Sequence, residues 1–456
     1  MNRKEALKTL SLGLGVIGLS PVIARGRAIA GEEEKALEQK DDAFIEILLN
    51  EAVFLAPGLE YNIFNKNVLI SGYGMSDSYD VDYIAARGRH LSRGYRYLGV
   101  AGETFQITAS VTSHGESAQK TQTVKVAQPD SGAGITRNIL LVGDSTIANG
   151  SISKPLASVF SADPMNINLM GTLGSPGLKH EGRGGWTTAD YYGQGRLLYI
   201  FNVAGVNMPP SIGAVYHSGE VNFTVTEVNI SGAKGYISCT GESAPPASGT
   251  LTKVSGSGDN SIAFQSSRIG SQNPFYNPAA QVFDFEFYLS STGQNMGAGD
   301  WVFFTLGIND VFNVSDVRLR IADMISQTNR FIDNIHAFNA GIRVGITTIF
   351  PSAGQDAFGR NYNSNQNYED YRKRRLLPWQ QAVIKNYDGA SNRDRNVFVV
   401  PTHCNLDCDY SYPTMTEPVN ARNPATIEMQ SNAVHPNSYG YAQIADMYAG
   451  LIKYFG

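Results

Sequence analysis

Four blocks of this chain carry the side chains that acyl transfer needs, and each falls near the end of an apolar segment. Ser145 lies in Gly143-Asp144-Ser145, directly after the short apolar run 139–142. A serine hydroxyl is a weak nucleophile. It needs a base within hydrogen-bond reach, a group that orients the base, and donors for the oxyanion of a tetrahedral intermediate. His435, in Asn432-Ala433-Val434-His435-Pro436, is the expected base. Gly185 ends a run of small residues, so its N–H can approach a substrate oxygen with no Cβ in the way. Asn309 stands just past the end of the apolar run 301–306, where its side-chain N–H can point into the same crevice. Each block also has a plainer reading. Gly185 suits an ordinary turn, Asn309 a helix cap, and His435 a solvated surface.

These residues need a frame. Residues 139–142 read as a buried strand, and 301–306 as a strand buried on both faces. Residues 342–350 and 397–401 are further apolar runs. Between them, Ile321, Met324, Ile325, Thr328, Phe331, Ile332, Ile335 and Phe338 recur at helical spacing, and 437–454 repeats that pattern. Strand and helix alternate, which argues a parallel, doubly wound sheet with its crevice at the strand C-termini. Residues 197–294 interrupt it with period-two segments and Gly/Ser/Pro turns, expected to form two or three hairpins inserted into the α/β domain. Residues 43–128 have the same texture and read as a small N-terminal β-sandwich, either a spacer or a surface-binding module. Residues 129–136 read as a linker.

In order and spacing, Gly143-Asp144-Ser145, Gly185, Gly307-Ile308-Asn309-Asp310 and His435-Pro436 resemble the SGNH (GDSL) hydrolase family over residues 137–456. The resemblance implies a three-layer α/β/α flavodoxin-like fold and an ester substrate, with no cofactor and no metal. It also implies an oxyanion hole made by the Ser145 N–H, the Gly185 N–H and the Asn309 side chain, with Asp144 and Asp310 in support. There is no G-x-S-x-G elbow of the α/β-hydrolase kind. The chain departs from the family where an aspartate usually precedes the histidine by three residues, because Asn432 stands there. An amide oxygen can orient an imidazole but brings no negative charge. In a serine protease, the Asp-to-Asn change at the orienting position costs about 10⁴ in turnover. Three readings follow: Asn432 orients a working base, a main-chain carbonyl or an acid such as Glu428 substitutes, or the site is weakened and the protein binds glycans instead. The expected substrate is an acylated carbohydrate, most simply an O-acetyl group. Trp186 and the Asn/Tyr-rich stretch 361–371 are candidate sugar contacts.

Bulk properties narrow the class. A formal charge of −5 gives no electrostatic footprint for nucleic acid. Arg3, Lys4 and Lys8, an apolar run at 10–19 and Ala28-Ile29-Ala30 form the three parts of a cleavable signal over residues 1–30, followed by a charged linker at 31–42. The apolar run is too short to span a bilayer, so periplasmic or secreted placement without stable membrane insertion is expected. Loss of residues 1–30, which hold five Lys/Arg and one Glu, takes the formal charge from −5 to −9. Cys239, Cys404 and Cys408 are too few for a disulfide scaffold. Cys404 and Cys408 admit either two free thiols or one disulfide across a turn, and a metal site involving His403 has no second ligand pair at finger spacing.

Overall fold

A computed structural model describes residues 45–71, 79–195, 197–241, 243–312, 314–355 and 371–456. The expected signal (1–30), the expected linker (31–42) and most of the 361–371 stretch lie outside the described residues.

Five parallel strands organise the site. They are β1 (Thr136–Gly143), β2 (Asn166–Met170), β3 (Trp301–Thr305), β4 (Arg343–Thr347) and β5 (Val397–Val400), in spatial order β2-β1-β3-β4-β5. Every residue of β3 and β5 is buried, as expected for strands covered on both faces. Helices among the described residues include α1 (Ser153–Phe160), α2 (Thr188–Tyr192), α3 (Val317–Phe338), α4 (Leu377–Tyr387) and α5 (Ser438–Tyr454). The buried positions of α3, Met324, Thr328, Phe331, Ile332 and Ile335, follow the stripe read from the sequence. Asp316 starts α3 by accepting from the N–H groups of Arg318 and Leu319, and Asn437 does the same for α5 through Tyr439 and Gly440.

The architecture as a whole corrects the expected fold class. Strand outweighs helix, 38% against 26%, and the features of a three-layer α/β/α flavodoxin-like domain are weak in it. The expected hairpins at 197–294 are instead a closed six-stranded antiparallel barrel between Leu197 and Ser271. Closure pairs its first strand, Leu197–Ala204, with its last, Ser261–Ser271. Alternation along each strand turns Phe201, Tyr216, Phe223, Ile237, Leu251 and Phe264 inward, and these form a core separate from that of the parallel sheet. Local periodicity detects such strands but carries no information about which ends meet.

The N-terminal strands do not form a self-contained sandwich core. They fall into a four-stranded sheet (Ala52–Leu55, Glu116–Val126, Thr104–Ser113, Asp80–Ala85), a three-stranded sheet (Glu60–Phe64, Gly94–Leu98, Arg89–Leu91) and a short pair, Ile45–Ile47 with Leu69–Ser71. Their buried side chains join the core of the parallel sheet. Gly450 on α5 makes this possible: a Cβ there would stand 2.1 Å from the carbonyl oxygen of Phe54. Polar anchors add register. Asn405 Oδ1 accepts from the N–H of Asn62 at 2.7 Å, Asn67 Nδ2 donates to the Leu406 carbonyl, and Arg93 pairs with Asp407 and Asp409. His403 is spent here as well. It is buried between Thr348 Oγ1 (2.8 Å) and the Leu48 carbonyl (3.0 Å), and burial pushes its pKa down to about 4. Cys239, Cys404 and Cys408 are buried free thiols. Among the described residues no group of His, Cys, Asp or Glu is arranged to hold a metal, and no helix is long and apolar enough to cross a membrane.

Candidate active site

β1 ends at Gly143, and Asp144 turns the chain into the single helical turn Ser145–Ala148. Asp144 Oδ1 accepts from the Thr146 N–H at 2.9 Å and from Thr146 Oγ1 at 2.8 Å, which fixes the turn carrying Ser145. From the other end of the chain, the loop before α5 brings His435 Nε2 to 2.8 Å from Ser145 Oγ. Both residues are half-buried. Burial lowers the His435 pKa from its ordinary 6.5, so the imidazole is neutral and able to take a proton at neutral pH. The acid limb of kcat/KM for ester cleavage should therefore have its midpoint below 6.5. Activity falls as pH drops through that value and stays flat above it until another group titrates. A pH–rate profile between 4.5 and 8 measures this.

Asn432 holds His435 by the main chain. Its Oδ1 accepts from the N–H of Val434 at 2.9 Å and of His435 at 2.8 Å. An amide oxygen suffices for this, because neither bond requires a full negative charge. Glu428, considered as a substitute acid, sits on the exposed strand Asn423–Gln430, where its carboxylate accepts from Thr416 Oγ1 at 2.5 Å. That contact directs it along its own hairpin.

The segment 181–186 runs beside the serine turn. Glu181 and Gly182 pair with Val142 and Gly143 in parallel register, and the Arg183 N–H donates to the Gly143 carbonyl at 2.9 Å. Trp186 N–H closes onto the Arg183 carbonyl at 3.2 Å, making a four-residue turn with Gly185 at φ +75°. Positive φ at the third position is what a type II turn asks of glycine. Asn309 Nδ2 donates one hydrogen to the Trp186 carbonyl at 3.0 Å. An amide nitrogen has two, so the second remains for a ligand. The structure thus ties Asn309 and the Gly185 turn together at the strand ends where Ser145 lies. Trp186, a candidate sugar contact, is 2% exposed and packs edge-on against Tyr191, which gives its ring to the core. Tyr371, the described end of the 361–371 stretch, is buried too.

The two supporting aspartates do different work. Asp310 is buried and accepts from the Thr188 N–H at 3.0 and 3.1 Å and from Arg320 Nη2, so it fastens α2 and α3 to the short helix that carries Asn309. Asp144 is fully buried, and among the described residues its Oδ2 has no hydrogen-bond partner. Burial pushes its pKa up to about 6, against the Thr146 hydrogen bonds that lower it. A raised native pKa means the folded state binds a proton that the unfolded chain releases near 3.8, so stability declines as pH rises from about 4 to 6 and stays lower above. Asp144→Asn keeps an oxygen for Thr146 and removes the charge. It should unfold later in urea by about 2 kcal/mol at pH 8 and by much less at pH 4. Glu181, Arg183, Thr188 and Arg320 were not singled out from the sequence. The alternation of charge in His180-Glu181-Gly182-Arg183 is the one signal for Glu181 and Arg183 and reads equally as a solvated loop, and Thr188 and Arg320 carry none.

No family model matches the chain, and no curated protein does. Among solved structures it is similar to a peptidoglycan O-acetylesterase, at 13% identity and TM-score 0.29, over 70% of this chain and 91% of the other. A Bacteroides fragilis protein described as a candidate α-galactosidase/melibiase is similar at 7% identity and TM-score 0.17, over 27% and 28% of the two chains. An endo-fucoidan hydrolase of glycoside hydrolase family 107 is similar at 8% identity and TM-score 0.17, over 51% and 28%. Likeness at this level carries no weight for the chemistry, which rests on the geometry above.

Proposed function

We propose that this chain is a serine hydrolase of SGNH type that cleaves carboxylic esters, with O-acetyl groups on an exported or extracellular carbohydrate as its substrate. The observation that carries this reading is the 2.8 Å contact between Ser145 Oγ and His435 Nε2, made by residues 290 apart in sequence. In this mechanism Ser145 Oγ attacks the ester carbonyl carbon while His435 Nε2 takes its proton. The carbonyl oxygen becomes an oxyanion held by the Ser145 N–H, the Gly185 N–H and the second Nδ2 hydrogen of Asn309. Collapse of the intermediate breaks the C–O bond. The alcohol leaves with the proton from His435, and water repeats the cycle on the acyl-serine. The carbohydrate and the export rest on the sequence resemblance and on the signal read in residues 1–30. Hydrolysis of p-nitrophenyl acetate by the wild type beside Ser145→Ala tests the chemistry, and acetate release from acetylated glycans tests the substrate. Equal rates for the two proteins on p-nitrophenyl acetate would remove the hydrolase reading.

A further inference from the structure

The barrel is joined to the rest of the chain beside the C-terminal end of α2. It opens at Leu197 and closes at Ser271, two residues paired to one another, so both connections leave from one place. Asn273, 2% exposed, gathers them. Its Nδ2 donates to the carbonyls of Tyr191 at 2.6 Å and Gly193 at 2.7 Å, at the C-terminal end of α2. The other end of α2 begins directly after the turn, in a capping box between Thr187 and Asp190.

Arg183 bridges the turn to this stalk. Its Nη1 lies 2.6 Å from Glu181 Oε2, its Nε donates to the Gln272 carbonyl at 3.1 Å, and its guanidinium covers the Trp186 ring at 5.1 Å. Glu181 is fully buried and is itself held by Thr172 and by the Tyr288 hydroxyl. The guanidinium is thus held by a buried carboxylate on the strand before the turn, an indole at its end and a carbonyl of the barrel stalk, while the main-chain N–H of the same residue donates to the Gly143 carbonyl beside the serine turn. A single surface ion pair would need neither the indole nor the Gln272 carbonyl.

We infer that Arg183 is a positioning residue that sets the Gly185 N–H and couples its turn to the base of the barrel, so that the barrel is part of the working site. The mechanistic half of this rests on the hydrolase reading, and the structural half does not. Arg183 acts through the turn and touches no substrate. Lysine at this position keeps the charge for Glu181 but has no planar fork, so it cannot also hold the Gln272 carbonyl and cover Trp186.

The test compares wild type, Arg183→Lys, Arg183→Ala and Ser145→Ala as full chains. It measures kcat and KM on p-nitrophenyl acetate, Tm, and amide hydrogen exchange in peptides covering 183–186 and 271–275. Arg183→Lys is expected to recover most of the Tm lost in Arg183→Ala while kcat stays down about 10²-fold, the order of losing one oxyanion donor, and KM stays within about threefold. Exchange should quicken in both peptides together in either variant. If lysine restores kcat along with Tm, or if the two peptides do not respond to Arg183 at all, the proposal is overturned. Should Ser145→Ala match the wild type in rate, the hydrolase reading fails, and the exchange arm alone decides the coupling.

Discussion

Ser145→Ala and His435→Ala should each lower kcat for ester cleavage by roughly 10³–10⁶, and the double variant should be no slower than the worse single one. The reason is geometric. The serine attacks only when the imidazole removes its proton at 2.8 Å, so removing either member abolishes the same step. The expected signature is non-additivity with KM nearly unchanged, because ground-state binding uses neither atom. Folding should be undisturbed, since both side chains are half-buried and sit in loops or a single helical turn. Steady-state kinetics with matched circular dichroism measures this. Independent, multiplying losses from the two single variants would mean that the pair does not act as a unit.

The second large effect concerns stability. Asp310→Ala should destabilise the protein by about 3–5 kcal/mol, the usual cost of removing one partner of a buried ion pair. Asp310 has no exposed side-chain surface, and Arg320 beside it is 17% exposed. The substitution strands that guanidinium and leaves the Thr188 N–H without its acceptor. It should also lower turnover more than global unfolding explains, because the same carboxylate ties α2, which follows the Gly185 turn, to the helix bearing Asn309. Urea denaturation gives the first quantity and kcat at a temperature well below the transition gives the second. Asp310→Asn should retain the Thr188 contact and recover part of the loss. A change below 1 kcal/mol for alanine would show that Arg320 finds water when its partner is gone.

The positions of Ser145, Asn309 and His435 were readable because each follows or precedes an apolar segment whose period identifies it as a strand or a helix. A strand that ends in a polar turn announces the rim of a sheet. Three features escaped. Barrel closure depends on register between Leu197–Ala204 and Ser261–Ser271, and alternation in either strand says nothing of its partner. The sharing of a core between the N-terminal strands and α5 turns on Gly450, which inside a helical repeat looks merely unfavourable. In the sequence Trp186 suits a sugar contact because it is an aromatic in a polar setting, yet the ring is buried. Whether an aromatic faces solvent or core depends on what packs behind it, here Tyr191 and the Arg183 guanidinium.

The pairing of β1 with β3 requires the chain to close on itself across about 160 residues, since Gly143 meets Thr305. The barrel lies within that span and brings its own two ends together. Once formed, it removes roughly half of the length to be closed. A chain whose barrel assembles early should therefore complete its parallel sheet sooner, and slow or faulty barrel closure would delay the meeting of the serine with its histidine.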